Sequence, residues 1–332
     1  MTETTNQQVA AVASGPPPLR PTLWQRLFAL RGSIPTWLHV LLGLACVAFI
    51  LALWAIVTAG EAESRIVGPT VLPSPGETLS SFKELWFDRA LTRNLVVTLR
   101  RVLMGFVLAC AVGIPLGVLA GCYAFAQALL LPLTIFGRNI PLAALIPLTF
   151  AAFGIGESQK VMFIFIACVM FIVSDTATAI RDVEQRYVDT AWTLGAKKGQ
   201  IIRKVLVPLA MPAVFNSLRL LFGLAFGYIM LAELVKLGGE IGGLGDIIRQ
   251  SQRRGLLEHI YLVLLIIPFV ALGIDRLLLA IQKSLFPSVY GGSGFLHRVL
   301  RSVRHRFEDL KGVFFRSDAA TEPPAPDEEA KP

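Results

Sequence analysis

The chain has 332 residues, of which 54% are hydrophobic and 16% charged, with a mean hydropathy of +0.63. A soluble globular chain is roughly 45 to 50% apolar even with Gly counted, so this composition excludes a soluble domain and reads as an integral membrane protein. The net charge of +8 lies mostly in segments between apolar runs, where it reports topology and requires no nucleic-acid partner.

Crossing the ~30 Å hydrocarbon layer as a helix takes about 20 apolar residues. Six segments qualify: 38–57, 95–121, 128–153, 161–180, 213–234 and 260–280. The expectation is an all-α polytopic membrane protein. Residues 1–37 precede the first span, and Pro16, Pro17 and Pro18 with little periodicity predict disorder to about Pro21. The first span, 38–57, is too long for a signal peptide despite the weak cleavage-like Val57-Thr58-Ala59 after it, and reads as an uncleaved anchor.

Residues 58–94 form an outer loop. In it, Leu72-Pro73-Ser74-Pro75 leads into a stretch with Leu79, Phe82, Leu85, Trp86 and Leu91 near helical spacing, which predicts a helix lying on the membrane surface. The core, 95–281, opens with Gly105, Ala109, Gly113, Gly117 and Gly121, a small residue at every fourth position. Such a seam lets a second helix approach closely, the main packing device in lipid. The third span carries Pro132, Pro141 and Pro147 around Gly137-Arg138-Asn139-Ile140. Lipid offers no partners for the backbone groups these prolines free, so they must face protein or a water-filled path. Arg138 has two readings: with Asn139 and Pro141 it borders a translocation path, or it snorkels to the interface. In the fifth span Arg219 stands near enough to the cytoplasmic face to snorkel, and Glu233 either shapes an outer gate or faces water. The run Gly238-Gly239-Glu240-Ile241-Gly242-Gly243-Leu244-Gly245 lacks the Gly-Lys-Ser/Thr ending of a phosphate loop and reads as a flexible outer loop.

Lys and Arg decide the orientation. Residues 1–37, 181–212 and the tail from 282 carry three, six and eight of them, against four each in 58–94 and 235–258. Both termini are therefore expected in the cytoplasm. Residues 282–316 are expected to form a basic amphipathic helix, with Leu296, Val299, Leu300, Val303, Phe307, Leu310 and Phe314 on one face and Arg298, Arg301, Arg304, His305 and Arg306 on the other, suited to an anionic leaflet or to a regulatory contact with a partner subunit. The acidic, Pro-rich 317–332 is expected to be disordered.

The loop between the fourth and fifth spans is the most specific segment. It reads as a short helix from Val188 to Leu194 closed by Gly195, then a basic segment with Lys197, Lys198, Arg203 and Lys204, with Pro208 and Pro212 breaking the backbone before the next span. This layout resembles the cytoplasmic loop of ATP-binding-cassette (ABC) importer permeases, where Glu-Ala-Ala is followed by Gly and then Ile-x-Leu-Pro. Asp189, Thr190 and Ala191 hold the opening, Gly195 the glycine, and Val205-Leu206-Val207-Pro208 the closing pattern. Gly195 and Pro208 match outright; the other positions depart while keeping charge sign or branching. The resemblance covers about 66–291 and is closest to permeases of nitrate, sulfonate, taurine and bicarbonate importers.

It implies a type I importer permease fold in the bacterial inner membrane and a coupling helix using Asp189, Thr190, Ala191, Leu194, Gly195, Ala196, Val205 and Pro208. It also implies two ABC ATPase subunits, a second permease copy, and a solute-binding protein delivering a small, anionic solute. No phosphate-loop motif, nucleophilic triad or metal-ligand spacing occurs, so the chain is expected to be no enzyme by itself and to bind no cofactor or metal, with ATP and Mg held by the partner ATPase. The competing class is an ion-gradient-driven secondary transporter or channel. Such a protein would show an inverted repeat with polar groups at midplane, and no repeat is discernible.

Overall fold

A computed structural model of the chain describes residues 35–61, 65–87, 89–235 and 242–287. The expectations for residues 1–34, for the amphipathic helix built on 296–314 and for 317–332 lie outside the described residues. The chain divides into two compact units, Met1–Glu77 and Thr78–Pro332.

The first unit holds α1 (Thr36–Val57) and the segment that follows it. Helix α1 is apolar all round and buries none of its most apolar window against protein, as suits a helix solvated by lipid. Beyond it the backbone is pinned by polar bonds. The Trp54 indole Nε1 donates to the Pro73 carbonyl at 2.9 Å, and Arg65 grips Glu77 with two bonds of 3.2 and 2.9 Å. Ser74 and Glu77 form a capping box at the start of α2 (Pro75–Ser80): the Ser74 N–H donates to the Glu77 carboxylate, and the Glu77 N–H donates to the Ser74 hydroxyl. Pro75, at the first helical position, gives up no needed donor. The Arg65 bonds and the Ser74 N–H together hold the Glu77 carboxyl down at about 2, well below the usual carboxylate range.

In the second unit α3 (Phe82–Phe87) leads to α4 (Leu91–Cys122). The expected third span is two helices, α5 (Ala124–Arg138) and α6 (Leu142–Phe153), bent by 104° at the break between them. Neither Pro132 nor Pro147 breaks its helix; the elbow falls at Asn139 to Pro141, because Pro141 drives Ile140 out of helical conformation. Next come α7 (Glu157–Arg181), α8 (Gln185–Thr193) and α9 (Lys198–Ile201), then α10 (Val207–Leu234), α11 (Leu244–Arg254) and α12 (Leu257–Leu285). Five helices are long and apolar enough to cross a membrane among the described residues, and the α5–α6 pair makes six if counted as one span.

Pro208 and Pro212 do not break the chain ahead of the fifth span. Helix runs from Lys198 to Leu234, through a π turn at Ile202–Leu206 where the Val207 N–H reaches the Ile202 carbonyl. The wider turn makes room for Pro208, which cannot donate in the α-helical ladder.

The core centres on α7. Its Phe163, Ile164, Cys168, Ile172 and Val173 pack with Val102, Phe106 and Ala109 of α4, with Leu221, Phe222, Ala225, Phe226 and Ile229 of α10, and with Leu262 and Val263 of α12. Phe106 meets Phe222 edge to face at 5.1 Å. Helices α4 and α7 run parallel with their backbones nearly touching. A Cβ added at Gly105, Gly113, Gly117 or Gly121 would stand 2.5 to 2.8 Å from Ile164, Ile172, Thr176 and Ile180 respectively, and Ala109 between them has no exposed surface. Only glycine fits such an approach.

Candidate functional site

Helix α8 starts at Gln185, ahead of the expected Val188, and is stabilised from within. Gln185 Nε2 donates to Asp189 at 2.9 Å, Thr190 Oγ1 to the Arg186 carbonyl at 2.7 Å, and Thr193 Oγ1 to the Asp189 carbonyl at 2.9 Å. Its end is a Schellman closure: the Gly195 N–H donates to the Trp192 carbonyl at 2.9 Å and the Ala196 N–H to the Ala191 carbonyl at 3.0 Å. Gly195 has φ +75°, and nothing lies within 4 Å of where its Cβ would be, so the position demands glycine for conformation and not for space. Lys197 then opens α9, its backbone N–H donating to Gln200 Oε1 at 2.8 Å.

This closure fixes what the loop presents. Ala191 is buried, whereas Leu194 is 82% exposed and Tyr187 and Trp192 are 41% and 49% exposed. Arg186, Tyr187, Thr190, Ala191 and Leu194 form one wall of a groove whose other wall is Lys204, Val205, Pro208 and Leu209. Thr190, Ala191, Leu194, Val205 and Pro208 thus line one groove, Asp189 lies within α8 without lining it, and Gly195 and Ala196 supply the helix closure. A small second core of Ala179, Ile180, Ala210 and Val214 lies beneath, joining the ends of α7 and α10 that carry the loop.

Arg138, Asn139 and Pro141 lie together at the α5–α6 elbow, all exposed. Asn139 Nδ2 caps its own helix by donating to the Ile135 carbonyl at 2.7 Å. Arg138 donates to Ser174 Oγ at 2.7 Å, stands 3.9 Å from Asp175, and lies over the Phe171 ring at 4.9 Å. Arg219 does not snorkel to an interface. Its side chain is 16% exposed and meets Asp275 of α12 at 2.9 Å, while Gln282 accepts from it at 3.3 Å and donates to the Pro212 carbonyl at 3.2 Å.

Glu233 neither faces water nor joins the elbow. Its side chain has no exposure. The carboxylate accepts from Arg101 Nη1 at 2.8 Å, from Thr98 Oγ1 at 2.9 Å and from the Gly245 N–H at 3.0 Å. Arg101, equally buried, also donates to the Gly242 carbonyl at 2.9 Å and grips both carboxylate oxygens of Glu157. The Gly243 and Leu244 N–H groups go to Asn94 Oδ1 at 2.8 Å and Thr98 Oγ1 at 2.9 Å. Gly242 to Gly245 are therefore no free loop. Gly242 and Gly243 have φ +83° and +119°, and a Cβ at Gly243 would stand 2.5 Å from the Glu233 carboxyl. Gly243 to Gly245 do present successive N–H groups at a helix start, and all three are taken by the chain's own side chains, only the Gly245 N–H by the Glu233 carboxylate. Sequence reasoning missed Thr98, Arg101 and Glu157; the one available signal was a charged Arg101 inside an expected span.

Residues 113–289 match the family described as the binding-protein-dependent transport system inner membrane component, and the chain belongs to that family, the permease subunits of ABC transporters. It is 35% identical over 246 residues to a probable ABC transporter permease of Brucella melitensis, covering 74% of this chain and 96% of the relative. To a bicarbonate transport system permease of Synechococcus elongatus it is 32% identical over 249 residues, covering 74% and 88%. The fold resembles an inward-facing methionine ABC transporter with a TM-score of 0.50 at 23% identity, covering 60% of this chain and 98% of that one. The architecture is the type I permease fold, and the chain is a multi-pass permease subunit of an ABC importer, a class that works with an ATPase and a binding protein.

Proposed function

We propose that the chain forms the membrane path for a small anion of the bicarbonate, nitrate or sulfonate class. It works as two copies with two ATPase subunits, which hold the ATP and Mg, and a binding protein delivers the solute from outside. The observation that carries the coupling half of this reading is the closed α8, which holds Leu194 82% exposed beside Tyr187 and Trp192. An apolar tip on a rigid, otherwise polar helix is costly in water and suited to a cleft in a partner. Asp189, Thr190, Ala191, Gly195, Ala196, Val205 and Pro208 build and shape that docking surface. The abundance of Lys and Arg in the loop favours a cytoplasmic position for it and for both termini. Arg138, Asn139 and Pro141 border the path at the elbow, where the broken helix frees backbone groups that lipid cannot satisfy. The bicarbonate permease relative supports the anion class.

The test is to purify the tagged chain from its native membrane in mild detergent and identify what accompanies it. An ABC ATPase near one-to-one stoichiometry, lost in Leu194→Asp while the variant still inserts, supports the reading. Undiminished ATPase capture by that variant removes α8 as the docking element. Any co-purifying binding protein is then titrated with bicarbonate, nitrate and taurine to choose among the solutes.

A further inference from the structure

The bundle end opposite α8 holds the cluster of Arg101, Glu233, Thr98 and Glu157, which neither the docking loop nor the helix seam requires. A buried ion pair contributes little net stability compared with apolar side chains of the same volume. Here it fixes position instead. Glu233 lies at the end of α10, a helix that begins in the docking loop with no break other than the π turn at Ile202–Leu206. The N–H groups at the start of α11 are taken by side chains of α4 and α10: Gly243 by Asn94, Leu244 by Thr98, Gly245 by Glu233. Arg101 ties the same carboxylate to Glu157 at the start of α7. The far end of α11, Gln252, Arg253 and Arg254, is exposed.

We propose that Thr98, Arg101 and Glu233 are positioning residues of the transport cycle. They clasp the ends of α4, α7 and α10 to the first turn of α11, so that movement imposed on the α8–α9 loop emerges at the opposite membrane face as displacement of α11. The proposal rests on α8 being the ATPase-docking helix. The first turn of α11 is held through these bonds, so it follows α10 only while the clasp is made. The glycines at 243 and 245 are the condition for this: a side chain at either would collide with Glu233.

The experiment uses the complex of the tagged chain with its co-purified ATPase in lipid nanodiscs, read by amide hydrogen exchange without nucleotide and after trapping with ATP and vanadate. In the parent complex, trapping changes exchange both in 185–201 and in 244–254. In Glu233→Gln and in the milder Thr98→Val, protection at the start of α11 falls roughly tenfold or more, the scale of a lost charge-assisted hydrogen bond. The trapping-dependent change in 244–254 disappears, while that in 185–201 and ATP hydrolysis itself persist. If Glu233→Gln does not assemble, Thr98→Val alone decides between the outcomes. A full trapping response in 244–254 of an assembled variant overturns the clasp. So does a parent complex in which only 185–201 responds. No response in 185–201 of the parent instead defeats the docking reading, and the clasp with it.

Discussion

Arg101 and Glu233 are separated by 132 positions in the chain, yet their side chains, neither with any exposed surface, meet at 2.8 Å. Removing one partner leaves a buried charge. Arg101→Met should therefore cost about 3 to 5 kcal/mol. Glu233→Gln keeps an acceptor for Thr98 and should cost less, about 1 to 3 kcal/mol. The double variant should lose clearly less than the two singles combined, because the second substitution removes the charge that the first stranded. Unfolding of the four proteins in one detergent measures this, and strict additivity would contradict the pairing.

The seam between α4 and α7 predicts a graded set of substitutions. At Gly117 a Cβ would stand 2.5 Å from Thr176 Cβ and 2.8 Å from the Val173 backbone carbonyl. Gly117→Val should destabilise by about 1 to 3 kcal/mol through overpacking and lower the yield of monodisperse protein. Gly227, on α10, has nothing within 4 Å of a built Cβ. Gly227→Ala should be neutral or slightly stabilising within the same thermal assay, and equal effects at the two sites would refute the close approach.

Gly195 is constrained by its backbone alone, with φ +75°. Gly195→Ala should cost roughly 1 to 2 kcal/mol of local order, the penalty of a left-handed conformation for an L-residue. The loss belongs to the α8–α9 loop, so the thermal midpoint of the whole chain should move little while, on the proposed docking role, ATPase capture weakens. Gly199→Ala, in right-handed helix with nothing close by, is the matched control and should capture ATPase normally.

Arg65 and Glu77 give a pH dependence outside the membrane. The Glu77 carboxyl is depressed from 4.5 to about 2, so its contribution is complete above the ordinary carboxylate range and is lost as pH falls through about 2. The partly exposed pair is screened by solvent, and its effect should be local. Titrating the Glu77 side-chain carbon by NMR in a micelle, assigned with Glu77→Gln, should place its midpoint near 2. In Arg65→Gln the midpoint should move up toward 4.5; an unmoved midpoint would show that Arg65 is not the cause.

The apolar spans and the four-residue repeat of Gly105 to Gly121 were readable because both are local periodicities. Gly195 was readable for a similar reason, since a helix closure is set within about six residues. The clasp was not. Its partners come from α4, α7, α10 and the start of α11, and no pattern around Glu233 announces a guanidinium from residue 101. Arg101 lies beside Arg100, and two adjacent arginines near the start of an apolar run resemble an ordinary interfacial flank. The prolines of the third span announced a break but neither its place nor its angle, because the geometry of an elbow depends on what α5 and α6 pack against. At Pro208 the reading failed for a local reason: a π turn accommodates the ring that an α turn would reject.

The α4–α7 contact restricts how this bundle can move. Each glycine of α4 receives a side chain of α7 spaced at the same four-residue interval or a multiple of it, Ile164, Ile172, Thr176 and Ile180. Sliding one helix along the other is therefore blocked until the next notch is reached, about 6 Å away at roughly 1.5 Å per residue. Displacements of an ångström or two cannot be absorbed between these two helices. The two helices form a pair that moves as one body, and strain generated elsewhere has to be taken up outside it, with the α5–α6 elbow as the break in the helical frame.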